Sequence, residues 1–343
     1  MREMESVTQH ANGWIQLKVP LPFSLRWVNA YLLPESEGGW TVIDPGLRSK
    51  ETEAFWEERL AELGMDWADC RKIVVTHYHP DHYGLAGWFQ QRTGAPVYLS
   101  KITQDCAVRL WSEGETYSAQ LLAAFQAHGL PDEQTDGMNA HMSGVFAQVL
   151  PHPKDVRFLP EPGERFAMAG AEWLLVGGSG HALGHISFYD PEREVILCGD
   201  QVLPQITPNI GWMPGSDPDP LGSYLSSLRA MLPLGEAYAY PGHRDPFAGL
   251  ATRIGEILAH HERRLRRMEE LLAEAGAMTA YQMCEKLFGT KVQGNPHNMR
   301  FAMAETIAHL VRMELEGTAS RRAAQPSSPI GGRELIYFVA VGG

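Results

Sequence analysis

The sequence has no long hydrophobic run, since no stretch approaches the roughly 20 consecutive apolar residues of a membrane-spanning helix. Its first residues, MREMESVTQHANGW, also lack the apolar centre of a signal peptide. Cysteine is scarce as well: 4 are spread over 343 residues without a CxxC pair, which argues against a disulfide framework and a thiolate zinc site. We therefore expect a cytoplasmic protein that has no membrane partner.

Basic residues are in the minority. The chain has 29 Lys and Arg against 41 Asp and Glu, which gives a net charge of -12. Residues 1–247 carry 17 basic and 31 acidic side chains, whereas residues 248–343 carry 12 and 10. An acidic surface repels a phosphate backbone, so the composition argues against nucleic acid as a partner of residues 1–247. It leaves the C-terminal part open.

The order of apolar runs predicts an α/β fold in residues 12–247. A meander of three strands comes first, and a strand, a loop, a short helix and another strand follow it. These elements correspond to WIQLKV, WVNAYLL, WTVID, KIVVT, GLAGWFQQRTG and APVYLS. Residues 101–150 are mostly helical and are interpreted as an insertion, which could cover a site as a lid or form a small core of its own. Strands resume with EWLLVGG, HISFYD, EVILC and AYAY.

Helices predominate in residues 248–343. The long amphipathic run RIGEILAHHERRLRRMEELLAEAG predicts the first helix. The second is expected to begin at Thr279, which forms a capping box with Gln282, and the third at Asn295, with Pro296 in its first turn. Two strand-like runs, GTASRRA and RELIYFVAV, then predict a hairpin. Three helices followed by a hairpin indicate a winged-helix domain.

The stretch HYHPDH, residues 77–82, concentrates potential metal ligands in one loop after a strand. Neutral imidazole suits zinc and other late divalent metals, and a carboxylate balances their charge. At this spacing, His77 and His79 can point at one metal, while Asp81 and His82 point at another. Further ligand-type residues lie at the ends of later strands, as a site assembled across a sheet requires: His185, Asp200 and His243.

This ordered set, preceded by Asp44 in VIDPG, resembles the metallo-β-lactamase superfamily over residues 12–247. The tail resembles the winged-helix domain that follows this fold in one branch of that superfamily. The resemblance implies an α/β fold, an αββα sandwich, that binds two divalent metal ions, with Zn²⁺ expected first and Fe or Mn as alternatives.

The resemblance also implies a role for each ligand. The first metal would be bound by His77, His79 and His185, and the second by Asp81, His82 and His243. Asp200 would bridge the two metals, and Asp44 would hold the ligand loop without binding metal. His181 and Tyr224 are assigned to substrate binding.

A metal-bridging hydroxide in such a site would attack an ester, thioester or lactone of a small molecule, with Asp81 and Asp200 as the catalytic carboxylates. We therefore expect a metal-dependent hydrolase, for example a thioesterase or lactonase. Two alternatives stay open: a metal-dependent nuclease or phosphodiesterase, because relatives with such a tail include ribonucleases, and an iron-dependent sulfur-oxidising enzyme. The apolar strand ELIYFVAV could also pair at a sheet edge and form a homo-oligomer.

Overall fold

The computed structural model describes residues 6–111, 116–289, 292, 294–324 and 334–341. The chain divides into two compact units, each assembled from three segments. The first, here called the sheet unit, comprises Met1–Ser112, Val145–Pro208 and Ala230–Arg253. The second, the helical unit, comprises Glu113–Gly144, Asn209–Arg229 and Ile254–Gly343.

The first half of the chain alternates strands and helices. In chain order these are β1 (Val7–Gln9), β2 (Ile15–Pro20), β3 (Trp27–Pro34), β4 (Trp40–Ile43), α1 (Lys50–Leu63), β5 (Cys70–Val74), α2 (Pro80–Tyr83), α3 (Ala86–Thr93), β6 (Val97–Leu99), α4 (Lys101–Trp111), α5 (Thr116–Ala127) and α6 (Thr135–Phe146). The strands of the expected meander, β2 to β4, and the strands after α1 and α3 are confirmed. The Met-rich run that ends the predicted insertion forms a helix of its own, α6.

The second half begins with strands and ends with helices and a hairpin. Its elements are β7 (Val156–Phe158), β8 (Arg165–Met168), β9 (Ala171–Gly178), β10 (His185–Asp190), β11 (Val195–Gly199), α7 (Pro220–Met231), β12 (Tyr238–Pro241), α8 (Leu250–Ala275), β13 (Met278–Thr279), α9 (Ala280–Phe288), α10 (Pro296–Glu316), β14 (Ala319–Ala324) and β15 (Leu335–Ala340). None of the helices in the described ranges is both long and apolar enough to cross a membrane.

Two sheets form the sheet unit. The first has the order β1-β2-β3-β4-β5-β6-β7, antiparallel from β1 to β4 and parallel from β4 to β7. The second has the order β12-β11-β10-β9-β8, in which only β11 and β12 are parallel. Apolar side chains of both sheets meet in one buried core, for example Leu33 and Val74 from the first sheet and Phe188 and Leu197 from the second. The alternation of side chains along each strand allows this packing.

The sheet topology brings several strand ends to one edge. Since β4 and β5 are parallel, their carboxyl ends meet, and the loops after both strands begin at the same place. In the second sheet β11 and β12 are parallel, so their carboxyl ends lie side by side. The strand β10 is antiparallel to β11, so it begins at the same edge. The candidate ligands all lie in segments next to these strand ends.

The helical unit has a separate apolar core. Phe125 of α5 and Met138 of α6 are buried in the same cluster as Met268 of α8 and Met303 of α10. For this reason residues 113–144 belong to the same compact unit as the C-terminal helices. The two units are therefore not separated by a single boundary at residue 247. The insertion interpreted at 101–150 is therefore divided, because α4 belongs to the sheet unit and the helices α5 and α6 contribute to this other core.

The predicted starts of the C-terminal helices are confirmed. Thr279 caps α9 in a capping box with Gln282, and the Asn295 side chain accepts from the backbone N–H of Asn298 at the start of α10. The strands β14 and β15 pair as the expected antiparallel hairpin, in a sheet of order β13-β15-β14. The predicted turn between them, QPSSPIGG, lies outside the described residues.

Candidate metal centre

Asp44 ties the end of β4 to the loop after β5. The residue has a positive φ of 52° and is buried. Its carboxylate accepts from the Thr76 backbone N–H at 2.8 Å and from Thr76 Oγ1 at 2.7 Å, and it lies 2.8 Å from Nδ1 of His82. Because an ionised carboxylate can only accept, His82 donates from Nδ1, and its Nε2 is left to face other groups. This pattern of a carboxylate holding a histidine is typical of the support behind metal ligands.

Asp44 can be tested as such a support. In Asp44→Asn, the amide keeps one oxygen for Thr76 but loses the second acceptor, so His82 loses the partner that orients its ring. We expect metal affinity to fall by about 10- to 100-fold while the protein stays folded. Competition with a chromophoric chelator measures the affinity, and circular dichroism measures the fold. Asp190→Asn, which alters another buried carboxylate of the sheet unit, is the matched control. Unchanged affinity in Asp44→Asn would contradict this role.

A first group of potential ligands consists of His77, His79 and His181. One nitrogen from each ring lies within 4.8 Å of the other two. Nε2 of His77 is 3.0 Å from Nδ1 of His79. The Thr76 hydroxyl donates to Asp44, so it accepts from Nδ1 of His77 at 2.9 Å, and Nε2 of His77 therefore carries a lone pair.

A second group consists of Asp81, His82 and His243. Pro80 opens α2 and places Asp81 and His82 in its only turn. Nε2 of His243 lies 3.2 Å from Asp81 Oδ2. On the other side of this ring, Nδ1 donates to the carbonyl oxygen of Trp27 at 2.8 Å, so Nε2 is the nitrogen left to face Asp81 and a metal ion.

Asp200 lies between the two groups. It follows β11, and its carboxylate is 3.6 Å from Nε2 of His181 in the first group. In the second group it is 3.4 Å from Nε2 of His82 and 3.3 Å from Nε2 of His243. A single carboxylate therefore contacts both groups, which is the position that a bridging ligand would need.

His181 and His185 take places different from the predicted ones. His185, named above as the third ligand of the first metal, belongs to none of the potential metal-binding groups among the described residues. Its ring stacks on that of His77, with 5.1 Å between centroids and 28° between planes. Its Nε2 faces the backbone of Gly199, so closely that a Cβ on this glycine would lie 2.6 Å away. His181, assigned above to the substrate, lies instead beside His79, with ring centroids 4.5 Å apart.

Tyr224 lies in α7, within the helical unit. Its side chain is fully buried, and its ring meets that of His261 edge-on at 5.7 Å. The role of Tyr224 in substrate binding stays a prediction. The helix α4, in contrast, is linked directly to the ligand loop, because the Trp111 indole donates to the carbonyl oxygen of Tyr78 at 2.8 Å.

The charges of the centre favour a bound cation. Burial alone would lower the pKa of His243, but attraction to Asp200 and Asp81 outweighs it and raises this pKa to about 10. Burial likewise opposes ionisation of Asp200, yet His243 and His82 hold its pKa well below the usual value. A place where two carboxylates attract a proton this strongly attracts a divalent ion for the same reason.

Two histidines of the first group, His77 and His79, are in the form that binds metal. Burial lowers the pKa of His77 and of His79, and repulsion between neighbouring imidazoles adds to this effect, so both rings are neutral near pH 7. Several buried atoms of the centre also lack a hydrogen bond of good geometry to the described residues: His82 Nε2, His243 Nε2 and Asp200 Oδ1. Buried polar atoms are rarely left so, and these side chains therefore fit a divalent metal ion.

Comparison with known families identifies the class of protein. The family model of the metallo-beta-lactamase superfamily matches residues 26–243. A second model, of the metallo-beta-lactamase-like C-terminal domain, matches residues 265–327. The first match spans more than half of the chain, so the protein belongs to the metallo-beta-lactamase superfamily, and the expected α/β fold is confirmed. The winged-helix nature of the C-terminal part stays a prediction.

Individual relatives cover most of the chain. The probable metallo-hydrolase YqjP of Bacillus subtilis (strain 168) is 27% identical over 311 residues, which are 88% of this chain and 92% of that protein. An atrochrysone carboxyl ACP thioesterase of Aspergillus fumigatus is 25% identical over 282 residues, 79% of this chain and 71% of that protein. A crystal structure of a metallo-beta-lactamase family protein from Thermus thermophilus has a TM-score of 0.81 at 33% identity, covering 96% of this chain and 99% of that one.

Proposed function

We propose that the protein is a dinuclear metal-dependent hydrolase that acts on a thioester, ester or lactone of a small molecule. The observation that carries this proposal is the position of Asp200, within 3.6 Å of His181 in one ligand group and within 3.4 Å of His82 in the other. Two ligand groups that share one carboxylate could hold two metal ions that act on the same substrate bond.

In this proposal the first ion is held by His77, His79 and His181. The second is held by Asp81, His82 and His243, with Asp200 shared. Zn²⁺ fits neutral imidazoles and carboxylates, and Fe and Mn fit the same donors. Divalent ions at these places would make water nucleophilic near neutral pH and polarise the carbonyl group under attack.

Asp81 is the side chain best placed to move a proton. It is only partly buried, whereas Asp200, His82 and His243 are buried, so its carboxylate is the more open to a substrate. Attraction to His82 and His243 outweighs burial and lowers the pKa of Asp81, so the carboxylate is ionised and can accept a hydrogen bond from the attacking water. Asp81 would then relay the proton of that water to the leaving group.

The choice of an acyl substrate has two supports. The relative from A. fumigatus is named as a thioesterase, and an acyl thioester has the polarisable carbonyl and good leaving group that this chemistry suits. The net charge of -12 also disfavours a polyanionic substrate. A phosphodiester is therefore kept as the contrasting probe.

Turnover of a mixed panel tests the proposal. The protein is loaded with Zn²⁺ and given acyl thioesters, aryl esters, a lactone and bis(p-nitrophenyl) phosphate at neutral pH. We expect at least one acyl substrate to be hydrolysed with a kcat of about 1 per second or more. Removal of metal by a chelator should abolish the activity, and added Zn²⁺ should restore it. Turnover of the phosphodiester alone, or acyl turnover that survives metal removal, would overturn the proposal.

A further inference from the structure

The segment that carries His243 is in tight contact with the candidate metal centre. This segment, residues 241–244, follows β12 and is called here the His243 segment. The Gly242 N–H donates to the carbonyl oxygen of Gly199 at 2.8 Å. A Cβ on Gly242 would lie 2.2 Å from Asp200 Oδ1 and 2.6 Å from Cε1 of His82, so no larger residue fits. Arg244 then turns the chain with a φ of 72°, in the left-handed region that a non-glycine residue disfavours.

One strand of the first sheet, β3, holds this segment through hydrogen bonds. The Asn29 side-chain amide donates to the carbonyl oxygen of Pro241 at 2.9 Å and to that of Arg244. The Asn29 backbone N–H donates to the carbonyl oxygen of Gly242 at 2.7 Å. The Tyr31 hydroxyl also donates to Pro241, at 2.7 Å. Asn29 therefore contacts three of the four residues of the His243 segment.

A second amide fixes the orientation of the first. Nε2 of Gln16, on β2, donates to Oδ1 of Asn29 at 2.8 Å. This bond makes Oδ1 the acceptor and directs both N–H groups of the Asn29 amide at the His243 segment. The ring of His10 lies 3.2 Å from the remaining oxygen of Gln16.

Two amides are unusual at this depth. Gln16 and Asn29 are each 1% exposed, and their neighbours Leu17 and Val28 are completely buried apolar residues. Burial of an amide is unfavourable unless every polar atom is paired, and apolar residues would stabilise this part of the core more simply. What the amides add is direction, because hydrogen bonds fix the carbonyl groups on both sides of His243.

We propose that Asn29 is a positioning residue, which holds the His243 segment and thereby sets how tightly the group containing His243 binds its divalent ion. Asn29 contacts none of the ligand side chains in this role; it acts through the backbone of Pro241 and Arg244. The inference rests on the metal centre of the proposed function. It predicts an effect confined to the second group, because His77 and His79 lie in a loop that Asn29 does not hold.

Stepwise metal affinity tests this proposal without any assay of activity. Asn29→Leu keeps the branched shape of the side chain and removes both side-chain donors. We expect one of two Zn²⁺ affinities to fall by about 10- to 100-fold, with the other unchanged, in calorimetric titrations of the metal-free protein. Tyr31→Phe removes one of the two donors to Pro241 and should give a smaller loss of the same kind. It also carries the test if Asn29→Leu does not fold.

Leu33→Ala is the matched control for destabilisation. Leu33 lies on β3 and in the same core as Tyr31, so its truncation weakens the strand without removing a hydrogen bond to the His243 segment. Its two Zn²⁺ affinities should equal those of the wild-type protein. If Asn29→Leu and Tyr31→Phe bind two ions as the wild type does, or lose both affinities equally, Asn29 is not a positioning residue and the metal centre itself stands. A wild-type protein that binds no Zn²⁺ would overturn both proposals.

Discussion

Replacement of Asp200 by asparagine is expected to lower kcat/KM of the metal-loaded protein by about 10³-fold, which corresponds to about 4 kcal/mol of transition-state stabilisation. Asparagine keeps the shape of the side chain and removes the charge that faces His82, His181 and His243. Since this carboxylate is the group shared by the two ligand groups, its loss should affect both ions. Kinetics on the best acyl substrate and metal analysis by mass spectrometry measure the two effects.

The control for Asp200→Asn is again Asp190→Asn. Asp190 ends β10 and accepts hydrogen bonds from the backbone of Glu192 and Arg193, so its replacement changes the charge of the sheet unit in a turn that contains no candidate ligand. This variant should keep its metal and its activity. If Asp200→Asn retained two ions and more than a tenth of the wild-type kcat/KM, Asp200 could not have the bridging role.

Acid is expected to destabilise the helical unit through buried histidines. Nδ1 of His309 donates to the carbonyl oxygen of Glu305 at 2.8 Å, and Nε2 of His309 lies 3.1 Å from Nδ1 of His261. Burial lowers the pKa of His261 to about 2, with repulsion from His309 adding to it, and burial lowers that of His309 to about 3. Burial also lowers the pKa of His128 to about 4.

The direction of the pH effect follows from proton uptake. In the unfolded chain these histidines titrate near pH 6.5, whereas in the folded protein they stay neutral to much lower pH. The unfolded state therefore binds more protons below pH 6.5, and stability is lost as the pH falls from that value towards the folded pKa values. Each histidine contributes a slope of about 1.4 kcal/mol per pH unit, so the three give about 4 kcal/mol per pH unit near pH 5.

Urea unfolding of the metal-free protein at pH 7, 6 and 5 measures this slope. The double variant His261→Phe with His309→Leu removes two of the three proton sites and should reduce the slope near pH 5 by about 2.8 kcal/mol per pH unit. Comparison of the two slopes cancels the contribution of the metal-centre histidines. Leu265→Ala, which alters an apolar residue of α8 packed against the core of the helical unit, should shift the free energy of unfolding without changing the slope. Equal slopes for wild type and double variant would contradict the expectation.

Much of the candidate site could be predicted because its residues directly follow strands. Asp44, Asp200 and His243 come after β4, β11 and β12, and parallel neighbours bring such ends to one edge of a sheet. The loop of His77 and His79 follows β5 at the same edge. This placement depends only on the order and direction of the strands, which the pattern of apolar runs indicates.

The choice between His181 and His185 could not be made in this way. His181 precedes β10, and His185 is its first residue. The two lie four positions apart, so sequence spacing alone does not tell which ring turns towards His79. In the structure the His181 ring lies beside His79, whereas His185 fills the space between His77 and the backbone of Gly199. Three residues separate the histidines, and the positive φ of the last of them, Gly184 (74°), shapes this loop.

The division of the chain into two compact units could not be predicted from the sequence pattern either. The apolar faces of α5 and α6 indicate helices that need a partner, but periodicity does not tell which core receives them. Phe125 and Met138 join the core of Met268 and Met303, which belong to helices far along the chain.

The composition of the helical unit from three segments has a consequence for biosynthesis. A ribosome releases α5 and α6 long before it has made α8 and α10, which supply the rest of their core. During that interval Leu121 and Phe125 have no native partners from the C-terminal helices, and such exposed apolar faces are prone to aggregate. The contacts that complete this unit are distant in sequence, which slows their formation after release. We therefore expect the helical unit to expose these apolar faces until its late-translated helices have been made.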